Sequence, residues 1–208
     1  RLNILFIIQK VVNIISLIKL LIAMKPSFHS RLLNNPFDDP GLYVRVIREG
    51  RALMFDLGFT TGLSARDILK TSDIFGSHTH IDHFIGFDTV LRICLKKEDP
   101  LRLYGPAGFT DCVEGKLKSY TWNLIEEYPL SLHVSEVCGD RIEKAVFRSK
   151  NSFRREDVGT EPFNGVLLED SFFMVKAAVL DHQIPCLAFS LQEDYHINID
   201  KDRLERMD

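Results

Sequence analysis

The chain has 208 residues, of which 45% are hydrophobic and 26% charged, with a formal net charge of −3. That length suffices to bury one domain's core, and the balance of apolar to charged residues excludes wholesale disorder. An acidic balance excludes a general attraction to polyanions, so any RNA binding has to rely on a local basic patch.

Residues 1–23 are mostly Leu, Ile and Val, long enough to suggest a membrane span. Gln9, Lys10, Asn13, Ser16 and Lys19 interrupt the run, and charge at the centre of a span is costly. The segment also lacks the small-residue cleavage site of a secretory signal. It is read as an apolar extension outside the fold, with a domain over 24–208 starting at Met24. A membrane-surface helix is the alternative, and a membrane partner is expected only if this segment is a genuine anchor.

Asn34 to Pro40 is a loop rich in turn formers. Tyr43 to Arg48 and Ala52 to Leu57 follow as strands joined at Glu49-Gly50. Ser64 to Leu69 has a short helical pattern, and Ile74 to Ser77 is a buried strand. Phe84 to Lys97 places Phe84, Phe87, Val90, Leu91 and Cys94 at helical spacing and breaks at Asp99-Pro100. Leu101 to Tyr104 reads as a strand and Ala107 to Glu127 as a longer helix ending before Pro129. Beyond Pro129 the pattern turns to β, with strands at Leu130–Val137, Ile142–Arg148, Gly165–Leu168, Phe172–Val179 and Cys186–Leu191, and a helix from Asp200 to Met207. Strands alternating with helices imply sheet layers with helices packed outside.

Between the strand at Ile74 and the helix at Phe84 lies His78-Thr79-His80-Ile81-Asp82-His83, four metal-ligand side chains in six residues. Imidazole nitrogen and carboxylate oxygen suit zinc and similar divalent ions. In an extended segment His78, His80 and Asp82 point to one side, and a tight turn onto a helix near His83 brings that ring to the same cleft. One metal can then take the two alternating histidines while Asp82 and His83 serve a second. Desolvating such a cluster without a metal is costly, which argues against a packing role. His29, His133 and His196 stand alone and are read as ordinary solvated or backbone-satisfied histidines. Cys94, Cys112, Cys138 and Cys186 are widely separated, without a C-x-x-C pair, and are read as free thiols in a reducing cytoplasm. Arg141 to Arg155 carries six basic residues against one Glu143, a cluster that can hold backbone phosphates or be a solvated strand and loop.

The H-x-H-x-D-H hexapeptide, with Asp73 to Ser77 before it and Phe84-Ile85-Gly86 after it, resembles the metallo-β-lactamase superfamily of metal-dependent hydrolases. Two further stretches resemble its tRNA 3′-processing branch, ribonuclease Z: Leu101 to Gly108, and Leu180-Asp181-His182-Gln183-Ile184-Pro185-Cys186 to Phe189. The resemblance implies an α/β fold, the αββα sandwich, with its C-terminal part missing here. It implies phosphodiester cleavage of precursor tRNA 3′ trailers by a metal-activated hydroxide. It assigns His78, His80 and His182 to a first zinc and Asp82 and His83 to a second, with Mn²⁺ or Fe²⁺ as the other ions such ligands accept. Asp82 would also orient the nucleophile or take its proton, and Asp56 is either an outer partner beneath the metal loop or a simple turn cap. A homodimer and a cytoplasmic location are further implications.

The family brings a bridging Asp, another ligating His and a proton-donating His from a C-terminal half, and nothing after Asp208 supplies them. Its extended tRNA-gripping arm is also unrecognisable here. Activity of this chain alone is therefore open. Two other functions compete: a metallo-hydrolase of a small ester, cyclic phosphodiester or thioester, and an inactive truncated relative serving as a binding module. β-Lactam hydrolysis ranks below all three, since it suits a secreted protein.

Overall fold

The computed structural model describes residues 27–193. Eight strands form one sheet in chain order: β1 (Phe28–Leu32), β2 (Leu42–Val46), β3 (Arg51–Phe55), β4 (Thr71–Phe75), β5 (Leu101–Pro106), β6 (Ser131–Cys138), β7 (Arg141–Arg148) and β8 (Arg155–Pro162). The hairpin strands β1 to β3 and β6 to β8 pair antiparallel, whereas β3, β4, β5 and β6 run parallel. Parallel neighbours need crossovers, and helices supply them. These are α1 (Ala65–Leu69), α2 (Ile81–Phe84) followed by α3 (Phe87–Cys94), and α4 (Phe109–Lys118). A second sheet of β9 (Val166–Glu169), β10 (Phe173–Asp181) and β11 (Pro185–Glu193) is ordered β11-β10-β9.

The period-two alternation of the central strands sends apolar side chains both ways, so β3 to β5 are buried on each face. Met54, Ile74 and Leu103 join Phe87, Val90 and Leu91 of α3 in the core beneath the helices. Leu53, Phe75 and Tyr104 point the other way and pack with Phe173 and Val175 of the second sheet. The rings of Phe55, Phe75 and Tyr104 stack across β3, β4 and β5 with centroids 4.9 and 4.7 Å apart. Such pairs add to the area they bury.

The architecture is thus helix, sheet, sheet, three of the four expected layers among the described residues. On the outer side of the second sheet, Ala178, Ala188, Ser190 and Gln192 are exposed. The expected extension over 1–23, His196 and the helix from Asp200 lie outside the described residues.

Several elements differ from expectation. The helix expected over Ala107–Glu127 ends at Lys118. There Ser119 Oγ donates to Gly115 O and Trp122 Nε1 donates to Leu117 O, closing the helix's last carbonyls. Trp122 then packs on Phe153 and Ile125 is buried, so tertiary contacts draw the chain off the helix axis. The helix expected from Phe84 starts at Phe87, because Gly86 N–H bonds to Leu57 O rather than within the turn before it. Two strands were not anticipated. β1 is mostly exposed and β8 holds charged residues, a glycine and a terminal proline, so neither shows apolar alternation. β8 forms by pairing with β7, and its charges suit a sheet edge.

Candidate metal centre

Past β4, Gly76 N–H still bonds to Tyr104 O and Asp56 N–H to Phe75 O, so the sheet's pairing carries on to the edge of the loop. His80, two residues after His78, lies on extended backbone at the N-cap of α2. The helix begins two residues before His83, so Asp82 lies on its first turn rather than on the extended segment. Gly86 closes the turn where the 57–58 backbone crosses it; a Cβ at that position would sit 2.2 Å from Gly58 O. Only glycine fits there.

The third imidazole arrives from far along the chain. β10 and β11 form a hairpin paired from Phe173↔Glu193 to Asp181↔Pro185, and His182 sits in its tip. The tip is a tight turn with Gln183 at φ 62°, in which Gln183 N–H donates to Asp181 Oδ1. Asp181 therefore holds the turn. Leu187 N–H donates to Ser77 O, fastening the hairpin to the metal loop.

His78, His80 and His182 each offer a ring nitrogen, and these nitrogens lie within 4.8 Å of one another. His78 is buried, while His80 and His182 are exposed at the mouth. His78 Nε2 and His80 Nδ1 are 3.1 Å apart. Two nitrogens at zinc's bond length and tetrahedral angle are about 3.3 Å apart, so this spacing fits one shared ion. Burial, then the charges of His83 and His80, push His78 below the usual histidine pKa, which favours the neutral ring a metal needs.

Beside them, His83 Nε2 lies 3.6 Å from Asp82 Oδ2, close enough for both to bind a second ion. The other ring nitrogen of His83 is 2.9 Å from Asp56 Oδ2. Asp56, at φ 58°, also accepts from Ser77 N–H (2.6 Å) and Ser77 Oγ–H (2.9 Å). Asp56 thus holds the His83 ring and the start of the histidine loop. Thr79 is held from behind by Cys112 Sγ at 3.4 Å.

No protein-family model matches the chain. Curated proteins do: it is 30% identical over 183 residues to ribonuclease Z of Deinococcus radiodurans, covering 85% of this chain and 55% of that protein. It is 32% identical over 152 residues to ribonuclease Z of Lactobacillus acidophilus, covering 69% of this chain and 39% of that one. The crystal structure of the short form of human tRNase Z superposes with a TM-score of 0.53 at 22% identity, covering 79% of this chain and 64% of that one. The chain is similar to ribonuclease Z proteins over most of its own length and shares the fold of the tRNase Z structure. It spans about half the length of the curated relatives it matches.

Elsewhere in this ribonuclease Z-like chain much of the basic run is paired internally. Within Arg141–Arg155, Arg141 pairs with Glu143, Lys144 with Glu161, Arg148 with Glu156, and Arg155 with Asp157 and Asp111. Much of that basic charge is thereby answered by β8. A second group, Glu136, Cys138 and Glu143, also has the donors for an ion. Glu136 is already engaged, accepting from Gly108 N–H and Thr110 N–H at the start of α4. The four cysteines are free thiols. Among the described residues, no helix is long and apolar enough to cross a membrane.

The residue that sequence reasoning passed over is Ser77. Its position next to the first histidine was the only available signal, since a single serine carries no spacing pattern.

Proposed function

We propose that this chain belongs to a metal-dependent phosphodiesterase that removes 3′ trailers from precursor tRNA. The observation that supports this most is the meeting of His78, His80 and His182, from two distant parts of the chain, in a fold whose sequence relatives are named ribonuclease Z. In this reading zinc is the resident ion, with His78, His80 and His182 holding one and Asp82 and His83 a second. A bound divalent ion supplies a nucleophile by lowering the pKa of water towards neutrality.

The chain's own residues provide the setting. Asp56 holds the His83 ring with its outer nitrogen towards Asp82. The Asp82 side chain is half exposed, placed to orient an incoming water and accept its proton. Buried His78 shields one side of the cleft while exposed His80 and His182 leave the other open to a bulky substrate. The proposed domain runs over 24–208, with 1–23 outside it, in a cytoplasmic protein that acts as a homodimer. Lys150 and Arg154 of the basic run would meet RNA phosphates together with whichever neighbours exchange their carboxylate partners.

The test is cleavage of a trailer-bearing precursor tRNA in the presence of zinc. A version as long as the ribonuclease Z relatives should cleave it and lose cleavage on Asp82→Ala; such a protein that binds zinc yet leaves the RNA intact would defeat the RNA assignment. The internal pairing of the basic run favours a second reading, hydrolysis of a small ester or cyclic phosphodiester, which a panel of chromogenic substrates separates from the first.

A further inference from the structure

Ser77 engages all of its polar groups within the site. Its N–H and hydroxyl reach Asp56, and its carbonyl accepts from Leu187 N–H of the hairpin that carries His182. Its hydroxyl oxygen also lies 2.9 Å from His78 Nδ1 and 3.2 Å from His83 Nδ1. Counting protons assigns each of these contacts. A carboxylate only accepts, so the Ser77 hydroxyl donates to Asp56, as does His83 through Nδ1–H at the shorter of its two contacts. With its one proton spent, Ser77 Oγ can only accept from His78. A neutral His78 must then carry its proton on Nδ1, which leaves the Nε2 lone pair facing His80 Nδ1 at 3.1 Å. The next group facing Nδ1 is Cys186 Sγ at 4.0 Å, a long and weak contact that cannot take over this task.

We propose that Ser77 is the positioning residue of the metal centre: its hydroxyl selects the His78 tautomer whose Nε2 is free to ligate, and it ties that choice to Asp56 and His83. The purpose of the device rests on the metal reading of His78, His80 and His182, but the tautomer can be read in the metal-free protein. Long-range ¹H–¹⁵N correlation spectra should show the His78 proton on Nδ1 in the unsubstituted protein and in Ser77→Thr, which keeps the hydroxyl. Ser77→Ala should move the proton partly or wholly to Nε2 and lower cobalt(II) affinity, measured by chelator competition, about 10–100-fold. Threonine should restore both readouts, which a purely steric role would not require. A proton on Nε2 in the unsubstituted protein overturns the proposal, as does an alanine variant unchanged in tautomer and affinity. Should the alanine variant fail to fold, the tautomer of the unsubstituted protein decides alone. If that protein carries the proton on Nδ1 yet binds no cobalt, the metal reading fails and the tautomer assignment stands.

Discussion

Asp73 lies on β4 and Asp56 just past the end of β3, yet their surroundings differ sharply. Asp73 is fully buried between the sheets, bonded to Arg102 at 2.6 and 2.8 Å, Arg51 at 3.1 Å, Ser72 at 2.7 Å and Tyr104 at 3.3 Å. Arg51 continues to Asp170 in the turn between β9 and β10, so the cluster joins the two sheets. Bonding to Asp73 raises the pKa of Arg102, keeping the guanidinium charged. Asp56 holds Ser77 and the His83 ring instead, beside the exposed side chains of His80 and His182. A closed polar cluster serves the fold, whereas an open one leaves side chains at the surface.

That contrast can be broken first at Asp73. Asp73→Ala removes the carboxylate that Arg102 pairs with, while Arg51 keeps Asp170, and should cost about 3 kcal/mol, read as a lowered urea midpoint. Surviving folded protein should keep its metal affinity. His182→Ala should show the reverse: a change in stability within about 0.5 kcal/mol, since the residue is exposed, and a loss of zinc affinity beyond the roughly 10–100-fold that an outer partner commands. Equal losses in both measurements would erase the distinction between the two clusters.

Gly86→Ala tests whether the open cluster depends on backbone packing. The added methyl meets the Gly58 carbonyl, so a loss of about 1–3 kcal/mol is expected, with weaker binding of the ion assigned to Asp82 and His83. An alanine variant as stable as the parent would show that the turn adjusts freely. The smallest effect is expected at His133, whose pKa is lowered by burial and then by Arg148 and Arg102. The folded state disfavours its charged form, so the unfolded chain takes up that proton first as pH falls. Its contribution to stability is therefore complete above about pH 6.5 and declines below it. His133→Gln should flatten that part of the stability–pH curve without altering metal affinity.

Local pattern carried much of the fold. The strands from Tyr43 to Leu57, the strand at Leu101 and the hairpin of β6 and β7 follow from alternation and turn residues, within a residue or two at their ends. Alternation failed at β8, where Arg155 to Pro162 has no apolar face and is a strand only because β7 offers it a partner. Helical spacing overran at α4, where Trp122 and Ile125 look like a continuing helix face but pack after the chain has turned. The basic run showed its charge in sequence but not its pairing, because Glu156 and Glu161 reach it across a strand that was not foreseen.

The sequence by itself determined the chemistry of the loop. Three imidazoles and a carboxylate in six residues keep their ligand character in any compact arrangement, and a strand followed by a short helix gathers them locally. The tertiary structure alone decided which distant groups complete that loop. His182 is about a hundred residues away and comes within reach because Leu187 docks on Ser77, while Asp56 reaches His83 because β3 and β4 lie side by side. Sheet pairing sets those contacts, and pairing depends on partners that no local window of sequence contains.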